Sequence, residues 1–285
     1  MLQDELVQNL FTTRAIRVAP ADQPFWYTSG ALGPYYINTH FLYGGEQEAQ
    51  VLLSLIDELS PNPLALPGQL AKAVWRQYLT NPIYHRLMDQ VVGRLSEGTG
   101  DFISGGERRD FFFSVPAALL LDKPHVSIMK DGTAIYSTAG FSAHYLLSDR
   151  ELVGQTATHL ADLVTEASSY TRAWLPAIHR LGAVMPSTLV IIDRDQGGRE
   201  KLAELGTELL SLVLVSPAFF DCACQSGLIS SEQDTQIKQF IENPELYERT
   251  FLAEHPNFLK EQLALGGKNR ERAQRCLDRG YGSVR

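Results

Sequence analysis

Cysteine is scarce in this chain: there are three, Cys222, Cys224 and Cys276, among 285 residues. An odd and sparse set builds no disulfide framework and fits a reducing compartment. Cys222 and Cys224 are closely spaced, but a zinc site usually takes four ligands in paired spacings, and no second Cys or His pair lies nearby. Two small buried residues are the expectation there. Long apolar runs are also lacking. No stretch approaches the roughly 18 apolar residues that a membrane-spanning helix needs, so no membrane partner is expected. The opening MLQDELVQNLFTTRAIRV carries Asp4 and Glu5 and no basic segment followed by an apolar one. No signal peptide is therefore expected, and the protein is expected in the cytoplasm. Positive charge is in deficit, with 25 Lys and Arg against 33 Asp and Glu, a formal net charge of −8. Nucleic-acid surfaces are normally basic, so no nucleic-acid partner is expected. A local Arg and Lys cluster can still hold a phosphate ligand inside an acidic protein. The remaining composition, 44% hydrophobic and 20% charged, is that of a globular protein. The length suits one large domain, or one domain with a helical appendage.

The hydrophobic pattern changes along the chain. Residues 2–11 carry Leu2, Leu6, Val7, Leu10 and Phe11 at helical spacing. A loop rich in aromatics, Gly and Pro runs from Pro20 to Tyr43. Residues 46–59 read as a second helix, and residues 69–95 read as helical with an interruption at Asn81-Pro82. From residue 101 the signals alternate. Residues 101–104 read as a strand ending in a tight Gly105-Gly106 turn. Residues 111–121 read as a buried helix with Pro116 in or near its first turn. His125–Met129 is a short apolar strand, and residues 131–145 read as a flexible loop or hairpin. Thr156–Leu163 is a strand candidate. Ser168–Leu181 reads as a helix with Ser168 or Ser169 as N-cap and Gly182 past its end. Ser187–Asp193 is a continuous apolar strand of the parallel-sheet kind. Residues 198–205 read as a helix and Leu209–Val215 as a buried strand. Residues 228–279 read as a polar helical tail in which Ser230 or Ser231 caps the first helix. Strands alternating with helices over residues 101–216 imply an α/β fold with a mostly parallel twisted sheet flanked by helices. In such sheets ligands bind at the carboxyl ends of the strands.

Four stretches with chemistry-bearing residues fall at loops or just after strands. Gly105-Gly106-Glu107-Arg108-Arg109-Asp110 precedes a helix; glycines permit close backbone approach, and amides with two arginines suit an anion such as pyrophosphate. A plain tight turn is the competing reading. Residues 25–38, FWYTSGALGPYYIN, place aromatics in a Gly/Pro loop, either as a pocket wall for a planar ring or as pins to the core. Ile191–Glu200 puts Arg194 just past an apolar strand, where its fork can grip a carboxylate or imide. Ala161–Ser169 is a small-residue loop between a strand and a helix start, able to hold a phosphate by its amides.

Taken in order, these pieces make the chain resemble the orotate phosphoribosyltransferases. That family shows an F-x-L-x-S-G-x-x-S-P-Y-Y loop, a G-x-x-x-x-G-I-P turn, a short strand ending in Arg-Lys before a mobile hood, a D-D-x-x-T-T-G-G-S loop for phosphoribosyl pyrophosphate, and a V-D-R-x-Q-G-G strand end. Matching stretches lie at 25–38, 105–112, 126–131, 161–169 and 190–198, and the strings SGALGPYY and IDRDQGG are the most specific. The resemblance spans roughly residues 2–232, with an insertion at about 60–100. It implies a type I phosphoribosyltransferase-like domain over 1–232 with N-terminal hood elements, and leaves 233–285 as a helical extension. It places Tyr35, Tyr36 and Arg194 at the base. Lys130 falls on the hood-strand Lys that meets pyrophosphate, and residues 131–145 fall on the hood. Asp162 falls where the family touches the ribose hydroxyls. Gly106, Arg108, Arg109, Thr165, Ser168 and Ser169 fall on the side of the pyrophosphate and phosphate.

The departures concentrate on one side. Ala161 replaces the first acid of the pair, and Glu166-Ala167-Ser168 stands for Thr-Gly-Gly. Thr28 and Met129 replace cations, and Asp110-Phe111-Phe112 replaces Gly-Ile-Pro. A carboxylate at Glu166 beside a phosphate costs on the order of 1 kcal/mol or more, and Arg172, one turn on, is the candidate to offset it. The resemblance implies transfer of phosphoribose from phosphoribosyl pyrophosphate to orotate or a related pyrimidine, with magnesium on the donor, by a homodimer. The altered loop keeps open a non-catalytic pyrimidine- or nucleotide-binding protein on the same fold.

Overall fold

The computed structural model describes residues 2–96 and 98–280, with side chains from residue 5 onward. The chain forms two compact units, Met1–Ala15 with Thr39–Ser216, and Ile16–Asn38 with Pro217–Arg285. This division differs from an extension beginning at residue 233. The second unit also takes residues 217–232 and residues 16–38, which hold most of the aromatic loop, because Trp26 and Leu32 of that loop share a hydrophobic cluster with the C-terminal helices.

The first unit is built on a seven-stranded sheet. Its strands are β1 (Phe102–Gly106), β2 (His125–Ile128), β3 (Ala134–Ser137), β4 (His144–Leu146), β5 (Thr156–Val164), β6 (Val184–Asp193) and β7 (Glu208–Leu214). The order is β7-β6-β5-β1-β2-β3-β4. The pairs from β7 to β2 are parallel, and β3 and β4 add antiparallel. The core strands carry unbroken buried runs, as parallel strands covered on both faces should. The stretch expected as a loop or hairpin is the β3–β4 hairpin, turning through a left-handed Gly140.

Gly105 and Gly106 end a strand rather than forming the expected turn. A Cβ at Gly105 would fall 2.2 Å from the Ser114 hydroxyl oxygen, and one at Gly106 would fall 2.1 Å from Trp174 Nε1. These glycines make room for side chains that cross the strand.

Pro116 lies inside the Phe111–Leu120 helix, further along than its first turn. Proline has no N–H to give the Phe112 carbonyl four residues back. The buried Tyr84 hydroxyl donates to that carbonyl instead. Tyr84 is placed by Asn81, whose side-chain oxygen accepts the amides of Ile83 and Tyr84 at 3.0 Å each and starts the Pro82–Leu95 helix. The Asn81-Pro82 interruption is thus a helix stop and a helix start in one dipeptide, with Leu66–Thr80 before it. Past β5, residues 170–174 form a π-helical turn leading into Leu175–Arg180, and Ser169 makes no side-chain cap bond.

In the second unit, Ile16–Val18 pairs antiparallel with Tyr35–Ile37, and Phe25–Trp26 with Leu32–Gly33. Helices follow at Pro217–Gln225, Ser231–Glu242, Pro244–Glu254, Phe258–Leu265 and Gly267–Asp278. Ser230 caps the second of these: its hydroxyl accepts the Gln233 amide at 3.1 Å while Gln233 Oε1 accepts the Ser230 amide at 2.9 Å. Trp26 and Leu32 share a cluster with Phe251, Leu259, Ala273 and Cys276. Among the described residues no helix is long and apolar enough to cross a membrane.

Candidate functional site

In the first unit, most of the residues expected at pyrophosphate, phosphate and ribose gather at the carboxyl ends of β1, β2 and β5. Gly106 is the last residue of β1, in register with Ile128 of β2. The Glu107 amide continues the ladder to the Ile128 carbonyl at 2.7 Å, and the Glu107–Arg108 peptide is cis. The Glu107 carboxylate then spans the two strand ends. Oε2 accepts the Lys130 amide at 3.0 Å, Oε1 accepts the Ser60 hydroxyl at 2.8 Å, and Lys130 Nζ stands 3.7 Å from Oε1. Lys130 itself is 66% exposed, so the pair leaves its ammonium open to solvent.

Asp110 joins β1 to β5. Its Oδ2 accepts the Gly106 amide at 2.9 Å and its Oδ1 accepts the Asp162 amide at 3.1 Å. His159 Nε2 lies 3.6 Å from Oδ2, and His159 Nδ1 meets the Ser104 hydroxyl at 2.9 Å. Burial pushes the Asp110 carboxyl up to about 7, against the pull of its two amide donors and of Arg109. Burial, with the neighbouring Asp110 carboxylate, raises Asp162 in the same direction. Burial drives His159 down to about 3, leaving it neutral. Burial also takes His40 to about 3, helped by the positive charges of Arg109 and Arg108.

The two arginines differ. Arg108 pairs with Asp57 and is about a third exposed. Arg109 is exposed, makes no ion pair among the described residues, and its charge acts on Asp110, Asp162 and His40.

The loop after β5 and the turn after β6 touch. The Arg194 amide donates to the Val164 carbonyl at 3.1 Å, and a Cβ at Gly198 would fall 2.4 Å from the Thr165 carbonyl oxygen. Gly198 is therefore required by the approach of Thr165. Asp193 holds the turn, accepting the Asp195 amide and Arg199 Nη2 at 3.0 Å each. Arg194 is half-buried at this edge. In the β5 loop Ala167 is buried and left-handed, with φ 55°, the conformation that glycine would take more cheaply. Glu166 and Ser169 are exposed and Thr165 and Ser168 half-buried. Arg172 is exposed and forms no ion pair with Glu166 among the described residues.

The aromatic loop lies in the second unit. Tyr35 is buried, its ring 5.0 Å from Phe220 and 5.8 Å from Phe240, and its carbonyl accepts the Tyr27 hydroxyl at 2.7 Å. It works as a pin rather than an open pocket wall. Tyr36 is half-buried between Phe25 at 6.1 Å and Tyr27 at 6.0 Å. Arg17, opposite Tyr36 in the strand pair, places its guanidinium carbon 5.5 Å from the Phe25 ring centre and 5.8 Å from that of Tyr36.

Solved structures share this topology. The UMP synthase of Leishmania donovani superposes with a TM-score of 0.57 at 17% identity over 84% of this chain, which spans 42% of that longer one. An orotate phosphoribosyltransferase of Francisella tularensis gives 0.51 at 13% identity over 83% of this chain and 96% of its own. In sequence, an orotate phosphoribosyltransferase of Staphylothermus marinus is 22% identical over 210 residues, 74% of this chain and 80% of the relative. The chain has the fold of these phosphoribosyltransferases, and its sequence is similar to relatives of the orotate kind. An adenine phosphoribosyltransferase of Agrobacterium fabrum is 28% identical over 145 residues, 47% of this chain and 80% of the relative. No family model matches the chain.

Three residues with evident work in this relative escape a reading of the sequence. Glu107 and Asp110 sit in a motif read for its glycines and arginines, and their carboxylates bridge strands far apart in the chain. Arg17 precedes the aromatic loop, and only the pairing of residues 16–18 with 35–37 brings it to Tyr36.

Proposed function

We propose that this chain transfers phosphoribose from phosphoribosyl pyrophosphate to orotate or a related pyrimidine base. The observation that carries the reading is the placing of two exposed cations, Arg109 just past β1 and Lys130 just past β2, at the carboxyl edge of the sheet where Asp162 lies near the end of β5. In the reaction the bond from ribose C1′ to pyrophosphate breaks, a bond from C1′ to the ring nitrogen forms, the proton of that ring N–H is released to solvent or to the leaving pyrophosphate, and pyrophosphate departs. Arg108, Arg109 and Lys130 would neutralise pyrophosphate as its charge develops. Asp162 would hold the ribose hydroxyls, and the amides around Gly106, Thr165, Ser168 and Ser169 the phosphates. Tyr35, Tyr36 and Arg194 are assigned to the base, Tyr35 by shaping the loop. No covalent nucleophile is needed.

Magnesium belongs to this proposal as part of the donor complex. Among the described residues no group of three or more His, Cys, Asp or Glu side chains gathers to hold an ion, so no step is assigned to a protein-held metal. Cytoplasmic location and a homodimer complete the proposal, the latter testable by sedimentation.

One set of observations favours a non-catalytic binding protein on the same fold. The Asp110 carboxylate already occupies the Gly106 and Asp162 amides, Trp174 fills the space over Gly106, and Glu166 is exposed in the phosphate loop. Turnover separates the two. Purified protein with donor, magnesium and orotate, uracil or adenine in turn is assayed for nucleotide and pyrophosphate by chromatography. Equal release of both with a pyrimidine supports the transferase; no product with any base, from folded protein, removes it.

A further inference from the structure

We propose that Arg17 is a further ligand-binding residue of the aromatic loop, and that it takes the carboxylate of the acceptor, so that the ligand is an acidic pyrimidine rather than a neutral base. The inference rests on the reading that residues 25–38 line the base pocket.

Arg17 is half-buried, and its Nε is shut off from solvent without a hydrogen-bond partner. Among the described residues no carboxylate or carbonyl takes any of its side-chain N–H groups. A buried donor left in this state costs stability, and folded proteins usually satisfy it. The guanidinium is held instead by two rings of the aromatic motif, Phe25 at 5.5 Å and Tyr36 at 5.8 Å. The ring faces offset part of the desolvation, but they accept no hydrogen bond.

Several other polar groups of the loop are already paired. The Tyr27 hydroxyl goes to the Tyr35 carbonyl, the Arg275 guanidinium to the Thr28 carbonyl, and the Glu248 carboxylate to the Leu32 amide. Arg17 is the cation kept unspent beside the half-buried Tyr36. Its fork is planar and matches a carboxylate in bidentate geometry. A flat ring against Tyr36 with a carboxylate on its edge would meet both groups. A neutral ring offers only carbonyl oxygens, single uncharged acceptors that cannot form the charge-assisted bidentate pair.

The experiment is calorimetric titration of the full chain with orotate and with uracil, for wild type, Arg17→Gln and Arg17→Lys, with thermal melts to establish folding. Wild type is expected to bind orotate about 10- to 100-fold more tightly than uracil. Arg17→Gln should lose most of that preference while its uracil affinity stays within about twofold, because only the charge-assisted pair is removed. Arg17→Lys, which keeps the charge without the fork, should fall between them, and it serves alone if the glutamine variant does not fold. Unchanged orotate affinity in a folded variant, equal binding of the two bases by wild type, or no binding of orotate overturns the inference. Titrating wild type with the donor separates the two readings. Donor binding without orotate binding sinks the Arg17 assignment alone. Arg17-dependent orotate binding without donor binding keeps it and sinks the transferase.

Discussion

Replacing Glu248 by alanine should loosen the aromatic loop from a helix more than 200 residues away in the chain. Glu248 is 1% exposed. Its Oε1 accepts the Leu32 amide at 3.2 Å, Arg279 Nη1 at 3.3 Å and the Cys276 thiol at 3.6 Å, and its Oε2 accepts Arg279 Nη2 at 3.0 Å. Burial holds its carboxyl above the ordinary range in spite of Arg279. Truncation leaves the buried Leu32 amide without its acceptor, about 1–3 kcal/mol, and removes packed methylene groups at about 0.8 kcal/mol each. Arg279 is 35% exposed and rehydrates at little cost. The sum is about 3 kcal/mol for Glu248→Ala. Glu248→Gln keeps an acceptor for Leu32 and should lose about 1 kcal/mol. Urea unfolding followed by Trp26, which stacks on Phe258 in this unit, reads the stability. Amide exchange at Leu32 reads the local effect. A Glu248→Ala loss below about 0.5 kcal/mol, with Leu32 still protected, would refute the reasoning.

Other perturbations test the remaining parts. Asp110 is pushed up to about 7 in the folded chain. A carboxyl raised in this way contributes stability below its ordinary value that is lost as pH rises through about 7, at most about 4 kcal/mol. Asp110→Asn should flatten urea midpoints between about pH 4 and 7; an unchanged slope argues against the buried carboxyl pair. Gly198→Ala drives a methyl against the Thr165 carbonyl and should cost about 1–3 kcal/mol, whereas wild-type stability would show that the two loops part freely. Tyr35→Ala, emptying the space beside Phe220 and Phe240, should cost about 3–5 kcal/mol. Tyr36→Ala should cost about 1 kcal/mol or less in stability and weaken base binding; the reverse order in urea unfolding would exchange the roles given to the two rings.

Much of the first unit was legible in the sequence because its signals are local. The apolar run Ser187–Asp193 lies within β6, and Asn81-Pro82 carries its own stop and start. In the second unit a local signal that was legible is Ser230, which with Gln233 three residues on makes a complete cap written in four letters. The glycines at 105 and 106 misled because a glycine after a strand pattern signals a turn, while the reason for these two lies in Ser114 and Trp174. The second unit was the least legible. Its loop is held by bonds such as Trp26 Nε1 to Gln262 Oε1, across 236 residues, and no periodicity reports a contact of that span. For the same reason Tyr35 and Tyr36, neighbours in one motif, could not be told apart as a pin and an open ring.

The most direct measurement is a calorimetric titration of the full chain with phosphoribosyl pyrophosphate and magnesium. Saturable binding in the micromolar range is the result expected if Arg109, Lys130 and the altered loop after β5 still hold the donor. No heat at millimolar donor, from protein that melts as a folded chain, would contradict the transferase and leave a ligand-binding relative whose donor amides are taken by Asp110.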